Sequence, residues 1–287
     1  MNKVLIIAEA GVNHNGNLEL AKKMALEAKN AGADIVKYQT CIPEKVVSKF
    51  AQKAQYQKEL TGDGESQLDM VRKIHFDFAG HRELKAYCDS IGIQYLSAAF
   101  DLESIDFLES LDLPYHKIPS GEITNLPYLE KIGRTGRPVI LSTGMSEMGE
   151  VKAAVAVLTG AGCSELTLLH CNTEYPTPYE DANLRAMYEL KTLGCNVGFS
   201  DHTLGVTADI AAVAMGACVI EKHFTLDKNM QGPDHKASLD VSELTQLCKA
   251  IRDTEILIGS GKKTATNSEI KNKPIARKSI VAARNIK

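Results

Sequence analysis

The chain has 287 residues, enough for one large α/β domain or two small ones. Apolar residues make up 44% and charged residues 24%, the balance of an ordinary globular protein that can build its core without staples. The net charge of −3 excludes the broad attraction to nucleic acid or to a membrane surface that a basic chain would have.

In chain order, short runs rich in Val, Ile and Leu predict strands at residues 4–8, 34–38, 94–98, 115–118, 139–142, 166–170, 196–199 and 218–221. Most are almost uniformly apolar, as parallel strands covered on both faces are. The first run is too short for a signal peptide or a membrane span and ends at Glu9. Helical stripes lie between the runs. Ala21, Met24, Ala25 and Ala28 form one after the Asn15-Gly16 turn; Leu244, Leu247, Cys248 and Ile251 form another behind Asp240, a candidate N-cap. About eight such strand–helix alternations predict a (β/α)8 TIM barrel. An open doubly wound sheet is the alternative, but its glycine-rich phosphate turn after strand one is replaced here by GVNHNG.

Two segments break the rhythm. Residues 43–76 are a long excursion at the barrel's top, where such insertions cover substrates. At residue 259 the composition changes to a Gly-Ser-Gly opening and a basic stretch that ends in an apolar fragment, residues 279–283. The division predicts a catalytic barrel over 1–258 and a linker over 259–287. The seven cysteines, Cys41, Cys88, Cys163, Cys171, Cys195, Cys218 and Cys248, lack paired spacing. They read as reduced thiols in a cytoplasmic protein.

Polar residues collect where the strands stop. Glu9 ends the first and Lys37 and Gln39 the second; Ser97 belongs to the third. Lys117, Ser120 and Glu122 follow the fourth and Ser142 the fifth. His170, Asn172 and Tyr175 follow the sixth, Ser200, Asp201 and His202 the seventh, and Glu221, Lys222 and His223 the eighth. In a (β/α)8 barrel these ends meet on one face, where active sites are built. A single Ser there is commonly a helix cap and a single Lys a solvated charge. The whole set would leave buried charge uncompensated unless its members bind each other or a ligand. Two lysines among hydroxyls suit a small polyanion. His202 and His223, on adjacent strand ends, either make ordinary hydrogen bonds or hold one metal ion with open positions.

These strand ends sit in segments that resemble the N-acetylneuraminate (sialic acid) synthase family, which includes legionaminate and pseudaminate synthases and enzymes of spore-coat polysaccharide synthesis. The segments are IAEAGVNHNG (7–16), VKYQT (36–40), KIPSGEITNLPYL (117–129), ILSTGM (140–145), LLHCNTEYPTPYED (168–181), GFSDHTLG (198–205) and EKHFTLDKNMQGPDHKAS (221–238). The resemblance implies a TIM barrel followed by a C-terminal antifreeze-like (SAF) domain, which this chain does not contain. It implies a head-to-tail homodimer in which that domain lends an arginine to the partner's site. Lys37, Lys117, Ser120, Ser142, Thr173 and Ser200 resemble a phosphoenolpyruvate cradle, with Asn172 as an alternative to Thr173. Glu9, Glu122, Tyr175 and Asp234 resemble groups that position or protonate the sugar, Glu122 handling protons near the aldehyde. His202 and His223 resemble ligands of a divalent metal, Mn²⁺ before Co²⁺ or Mg²⁺.

The activity so implied is metal-assisted condensation of phosphoenolpyruvate with open-chain N-acetylmannosamine and water, giving N-acetylneuraminate and phosphate. A legionaminate or pseudaminate synthase acting on a 2,4-diacetamido-trideoxy hexose is the alternative, and Gln55 and Tyr56 are candidates for reading the sugar. Two other readings stay open: a Schiff-base aldolase with Lys117 or Lys37 as nucleophile, and a sugar-phosphate-binding barrel without catalysis.

Overall fold

A computed structural model describes residues 3–48, 50–52 and 66–285. Eight parallel strands close into a barrel in which every strand pairs with its neighbours in sequence. They are β1 (Leu5–Gly11), β2 (Ile35–Thr40), β3 (Gln94–Ala99), β4 (His116–Ile118), β5 (Val139–Ser142), β6 (Leu166–Cys171), β7 (Asn196–Asp201) and β8 (Val219–His223). Each is followed by a barrel helix: α1 (Leu18–Ala31), α2 (Phe78–Ile91), α3 (Leu102–Glu109), α4 (Leu126–Gly133), α5 (Met148–Ala161), α6 (Ala186–Lys191), α7 (Thr207–Ala214) and α8 (Val241–Ile258).

Local chemistry explains the boundaries. The Asn17 side chain accepts from Leu20 N at the start of α1, and Gly32 ends the helix at φ 95°, which L side chains rarely adopt. Between these caps Ala21, Met24, Ala25 and Ala28 are buried against the barrel, as their spacing predicts. Asp240 and Glu243 form a reciprocal capping box on α8, whose Leu244, Leu247, Cys248 and Ile251 are buried. One apolar core runs around the barrel between the strands and these helices.

Several predicted strands stop one to three residues short of the observed ones. β1 continues past Glu9 to Gly11, β7 to Asp201 and β8 to His223. Sequence patterning closes a strand at its first charged residue. In a closed barrel the backbone goes on pairing while an inward side chain turns polar, so the ladder includes functional residues. The register then aligns them: Glu9 pairs with Lys37 on one side and with His223 on the other.

Among its described residues the excursion after β2 carries two short helices, Pro43–Val46 and Gln67–Ile74, that lie over the mouth. Gln55 and Tyr56 fall outside the described residues. Beyond α8, residues 259–285 are exposed, with short helices at Asn267–Ile270 and Lys273–Ala276. Residues 279–283 form no strand. The composition of this stretch hides its helices, but a Thr266–Glu269 capping box starts the first, and Pro274 sits in the first turn of the second. No described helix is long and apolar enough to cross a membrane. The seven cysteines are free.

Candidate active site

Strand alternation decides which strand-end residues enter the barrel. Side chains two apart share a face, so Glu221 with His223, and Ser200 with His202, face one cavity, while Asp201 and Lys222 point the other way. This cavity, of about 330 Å³, opens at the carboxyl ends of the strands.

Its floor is a network of buried charge. The Lys37 ammonium donates to Glu9 Oε1 at 2.6 Å and lies 3.6 Å from Glu221 Oε2. Lys117 donates to Ser142 Oγ at 2.8 Å and lies 3.4 Å from Glu221 Oε1. Ser200 Oγ donates to the same Glu221 oxygen at 3.0 Å. Two ammoniums and two carboxylates leave this floor neutral, and their hydrogen bonds are spread among one another and the hydroxyls. Ser120 Oγ accepts from Gly144 N at 2.9 Å and lies 3.2 Å from Cys171 Sγ, so it is fixed at the rim of this floor.

The two lysines respond differently to burial. Burial pushes the Lys117 ammonium below its ordinary value against the pull of Glu221, and Lys37 beside it adds repulsion. For Lys37 burial is outweighed by Glu221 and Glu9, which hold its ammonium above the ordinary value. Burial also works against ionised Glu9, yet His223, Lys37 and Lys117 together keep its carboxyl well below the usual carboxylate range. Asp234 goes the other way: burial raises its carboxyl, opposed by His223 and reinforced by Glu9. The cavity thus contains one carboxylate held ionised and another biased toward its protonated form, the pairing that acid–base chemistry uses.

His202 and His223 lie with ring centres 5.4 Å apart, and Tyr175 packs over the first at 4.0 Å and edge-on to the second at 5.8 Å. Nδ1 of His202 bonds the Asn172 carbonyl, an arrangement that presents Nε2 as a lone pair. Nδ1 of His223 is buried without a hydrogen-bond partner, while its Nε2 lies 3.4 Å from Glu9 Oε2. Burial, then His223, pushes the His202 imidazole down to about 3, so it is a neutral donor. Among the described residues no three His, Cys, Asp or Glu side chains converge on a metal-sized space. What the chain offers is two imidazoles and room for oxygen donors from water or substrate. That fits a hard or borderline ion such as Mn²⁺, Co²⁺ or Mg²⁺ better than a closed zinc cage.

Of the sequence-predicted residues, Glu9, Lys37, Lys117, Ser120, Ser142, Thr173, Tyr175, Ser200, His202, His223 and Asp234 all line the cavity. Glu122 does not: it closes the 3-10 turn Ser120–Glu122 and accepts from Asn125 Nδ2 at 2.6 Å. Asn172 is spent locally, its side chain accepting from Glu174 N at 2.7 Å, and Thr173 is the one that faces in. Sequence reasoning gave Glu221 no role, although its spacing from His223 marks it as inward. It also missed the side wall, where Val47, Met70 and Val71 of the excursion pack with Cys41 and Phe100 beside the charged floor.

Known proteins resemble this chain over nearly its whole length. The chain is 54% identical over 290 residues to the N,N'-diacetyllegionaminic acid synthase of Campylobacter jejuni, covering 100% of this chain and 87% of that one. It is 36% identical over 279 residues to the human N-acetylneuraminate-9-phosphate synthase, covering 96% and 77%. The crystal structure of the N-acetylneuraminic acid (sialic acid) synthetase of Leptospira borgpetersenii in complex with citrate superimposes with a TM-score of 0.83 at 32% identity, over 96% of this chain and 91% of that one. The NeuB family model matches residues 24–263. With a family match across almost the whole barrel and relatives that share its full length, this chain is an enzyme of the NeuB family.

Proposed function

We propose that the enzyme condenses phosphoenolpyruvate with the open-chain aldehyde of a 2,4-diacetamido-trideoxy hexose and water, giving N,N'-diacetyllegionaminate and phosphate. The observation that carries the reading is the two-sided cavity, a charged floor for a small polyanion beside an apolar wall. N-acetylmannosamine, first choice from the sequence resemblance, presents hydroxyls at C4 and C6. The diacetamido sugar presents an acetamido group and a methyl there, and only these gain from contact with Val47, Met70 and Val71. The 54% identity to a legionaminic acid synthase, against 36% to a neuraminate-type synthase, supports the same choice.

In this reading Lys37, Lys117, Ser120, Ser142, Thr173 and Ser200 hold the phosphate and carboxylate, which turns a bimolecular collision into a positioned one. His202 and His223 would hold a divalent ion, Mn²⁺ by preference, which when bound would act as a Lewis acid toward the acceptor's aldehyde. Phosphoenolpyruvate C3 attacks the aldehyde carbon, water adds at C2, and phosphate leaves with cleavage of its C–O bond. Glu9 stays ionised and orients the acceptor's hydroxyls. Asp234, biased toward its protonated form, supplies a proton to the oxygen that develops charge. Tyr175 covers the histidine pair and keeps water from that oxygen.

Reaction in H₂¹⁸O tests this sequence. One labelled oxygen should appear at C2 of the sugar acid and none in phosphate; label in phosphate would mean P–O cleavage and a different reaction. The buried, low-lying Lys117 ammonium gives a Schiff-base aldolase one supporting feature. Borohydride in the presence of pyruvate would trap Lys117 covalently if that chemistry operated, and the present reading expects no adduct.

A further inference from the structure

Behind the cavity, on the outer side of β7 and β8, lies a buried ion pair that the reaction does not use. Lys222 donates to Asp201 and, at 2.6 Å, to the carbonyl oxygen of Thr203. Asp201 in turn accepts from Thr203 N at 2.8 Å and from Thr203 Oγ1 at 3.0 Å. Neither charged side chain reaches solvent; they are 1% and 0% exposed. Desolvating a carboxylate and an ammonium is expensive, and an apolar pair of the same volume would hold strand to helix at least as well. Stability alone does not account for charge in this place.

Its position does. The β7–β8 ladder runs Phe199–Ile220, Ser200–Glu221 and Asp201–Lys222, and there it stops. His202 is the first residue beyond the last paired position, so no strand hydrogen bond holds it level with His223. The His202 carbonyl accepts from Thr177 N at 2.8 Å and its Nδ1 bonds the Asn172 carbonyl, but both contacts tie it to the segment after β6; the ion pair is what ties it to β8. It grips the chain on both sides of His202, at Asp201 and at Thr203, with a side chain that immediately precedes His223. An ion pair with directed hydrogen bonds has one register, whereas apolar contact tolerates slip.

We propose that Asp201, Lys222 and Thr203 form a staple that sets the spacing of His202 and His223, and with it the affinity of the divalent-metal site. They are positioning residues and touch neither substrate nor metal. This inference rests on the reading of the histidines as metal ligands.

The test is Mn²⁺ affinity of the full chain, followed by the electron paramagnetic resonance of free Mn²⁺, with phosphoenolpyruvate affinity measured separately without metal. The charge-balanced variant Asp201→Asn/Lys222→Met should bind Mn²⁺ at least tenfold more weakly and phosphoenolpyruvate within twofold of the unsubstituted chain. Thr203→Val, nearly isosteric and lacking only the hydroxyl, should lose three- to tenfold in Mn²⁺ affinity; it decides the matter if the double variant fails to fold. Asp34→Asn is the control, because Asp34 accepts from Ile6 N at 2.9 Å and from Arg252 at 2.6 Å at the opposite end of the barrel, away from the histidines. It should leave Mn²⁺ affinity within twofold even where it shifts the melting temperature. Double and Thr203 variants with unchanged Mn²⁺ affinity would overturn the staple. Affinity that follows melting temperature across all variants, Asp34→Asn included, would reduce it to a structural pair. An unsubstituted chain that binds no Mn²⁺ would remove the metal reading, and the staple with it.

Discussion

Lys117 and Lys37 carry the same charge a few ångströms apart, yet burial lowers one ammonium while two carboxylates raise the other. An anion bound between them relieves Lys117 most, because it lacks a carboxylate at hydrogen-bond distance. Lys117→Met keeps the stem and removes a charge-assisted contact, a loss of about 1.5–3 kcal/mol, or roughly ten- to a hundredfold in the KM for phosphoenolpyruvate. The KM of the sugar should stay within about threefold. If both constants stayed at wild-type values, Lys117 would be a structural lysine. The lowered ammonium also fixes the direction of a pH effect. Affinity for phosphoenolpyruvate should fall on the alkaline side at a pH below the ordinary lysine value of 10.5, and Lys117→Met should abolish that limb. A titration of binding against pH, with and without the substitution, measures it.

At the scale of elements, the site is built from strand ends and one long excursion, and these were not equally legible. The barrel could be read because its strands are apolar on both faces and its helices have clean 3.6-residue stripes, as in α1 and α8. Most of the cavity could be read because charge at a strand end is conspicuous. Which of two neighbours faces inward was harder to read: Glu221 and Lys222 are both charged, and the two-residue spacing from His223 separates them only once His223 is known to face the cavity. Glu122 was misplaced because a 3-10 turn after β4 carries its side chain back onto Asn125, a rotation that strand patterning does not encode. The apolar wall was illegible for a different reason. Val47 and Met70 are 23 positions apart, and although Met70 and Val71 form the buried stripe of a short helix, only the folded excursion brings that stripe against Val47. Replacing Val47 and Val71 with Thr preserves shape and adds hydroxyls to that wall. The double variant should lose about 1–2 kcal/mol of acceptor binding, near tenfold in kcat/KM for the diacetamido sugar. Its KM for phosphoenolpyruvate should not move, and an unchanged sugar preference would detach the wall from specificity.

For the molecule as a whole, acid stability is set partly by histidines that the site does not use. His14 stacks on Phe76 at 4.1 Å, and His81 bonds Tyr95 Oη at 2.9 Å; burial pushes both imidazoles down to about 3. An unfolded chain protonates them near 6.5, so below that pH it binds protons that the folded chain refuses. Their contribution is intact above about pH 6.5 and is lost progressively as the pH falls toward 3, each at up to about 1.4 kcal/mol per pH unit. Denaturant unfolding of the metal-free protein should therefore weaken steadily between pH 6 and 4.5, before most carboxylates titrate (approximately, from their ordinary values). His81→Leu should flatten that slope by about one proton while costing stability at neutral pH, and an unchanged slope would mean that His81 is protonated in the folded state.

In the proposed reaction one cavity joins phosphoenolpyruvate to a diacetamido sugar in preference to a hydroxylated one. The most direct measurement is the ratio of kcat/KM for the 2,4-diacetamido-trideoxy hexose and for N-acetylmannosamine, by phosphate release at saturating phosphoenolpyruvate and Mn²⁺. With two substituents meeting the apolar wall at about 1 kcal/mol or more each, the ratio should exceed roughly tenfold in favour of the diacetamido sugar. A ratio near one, or a preference for N-acetylmannosamine, would contradict the assignment.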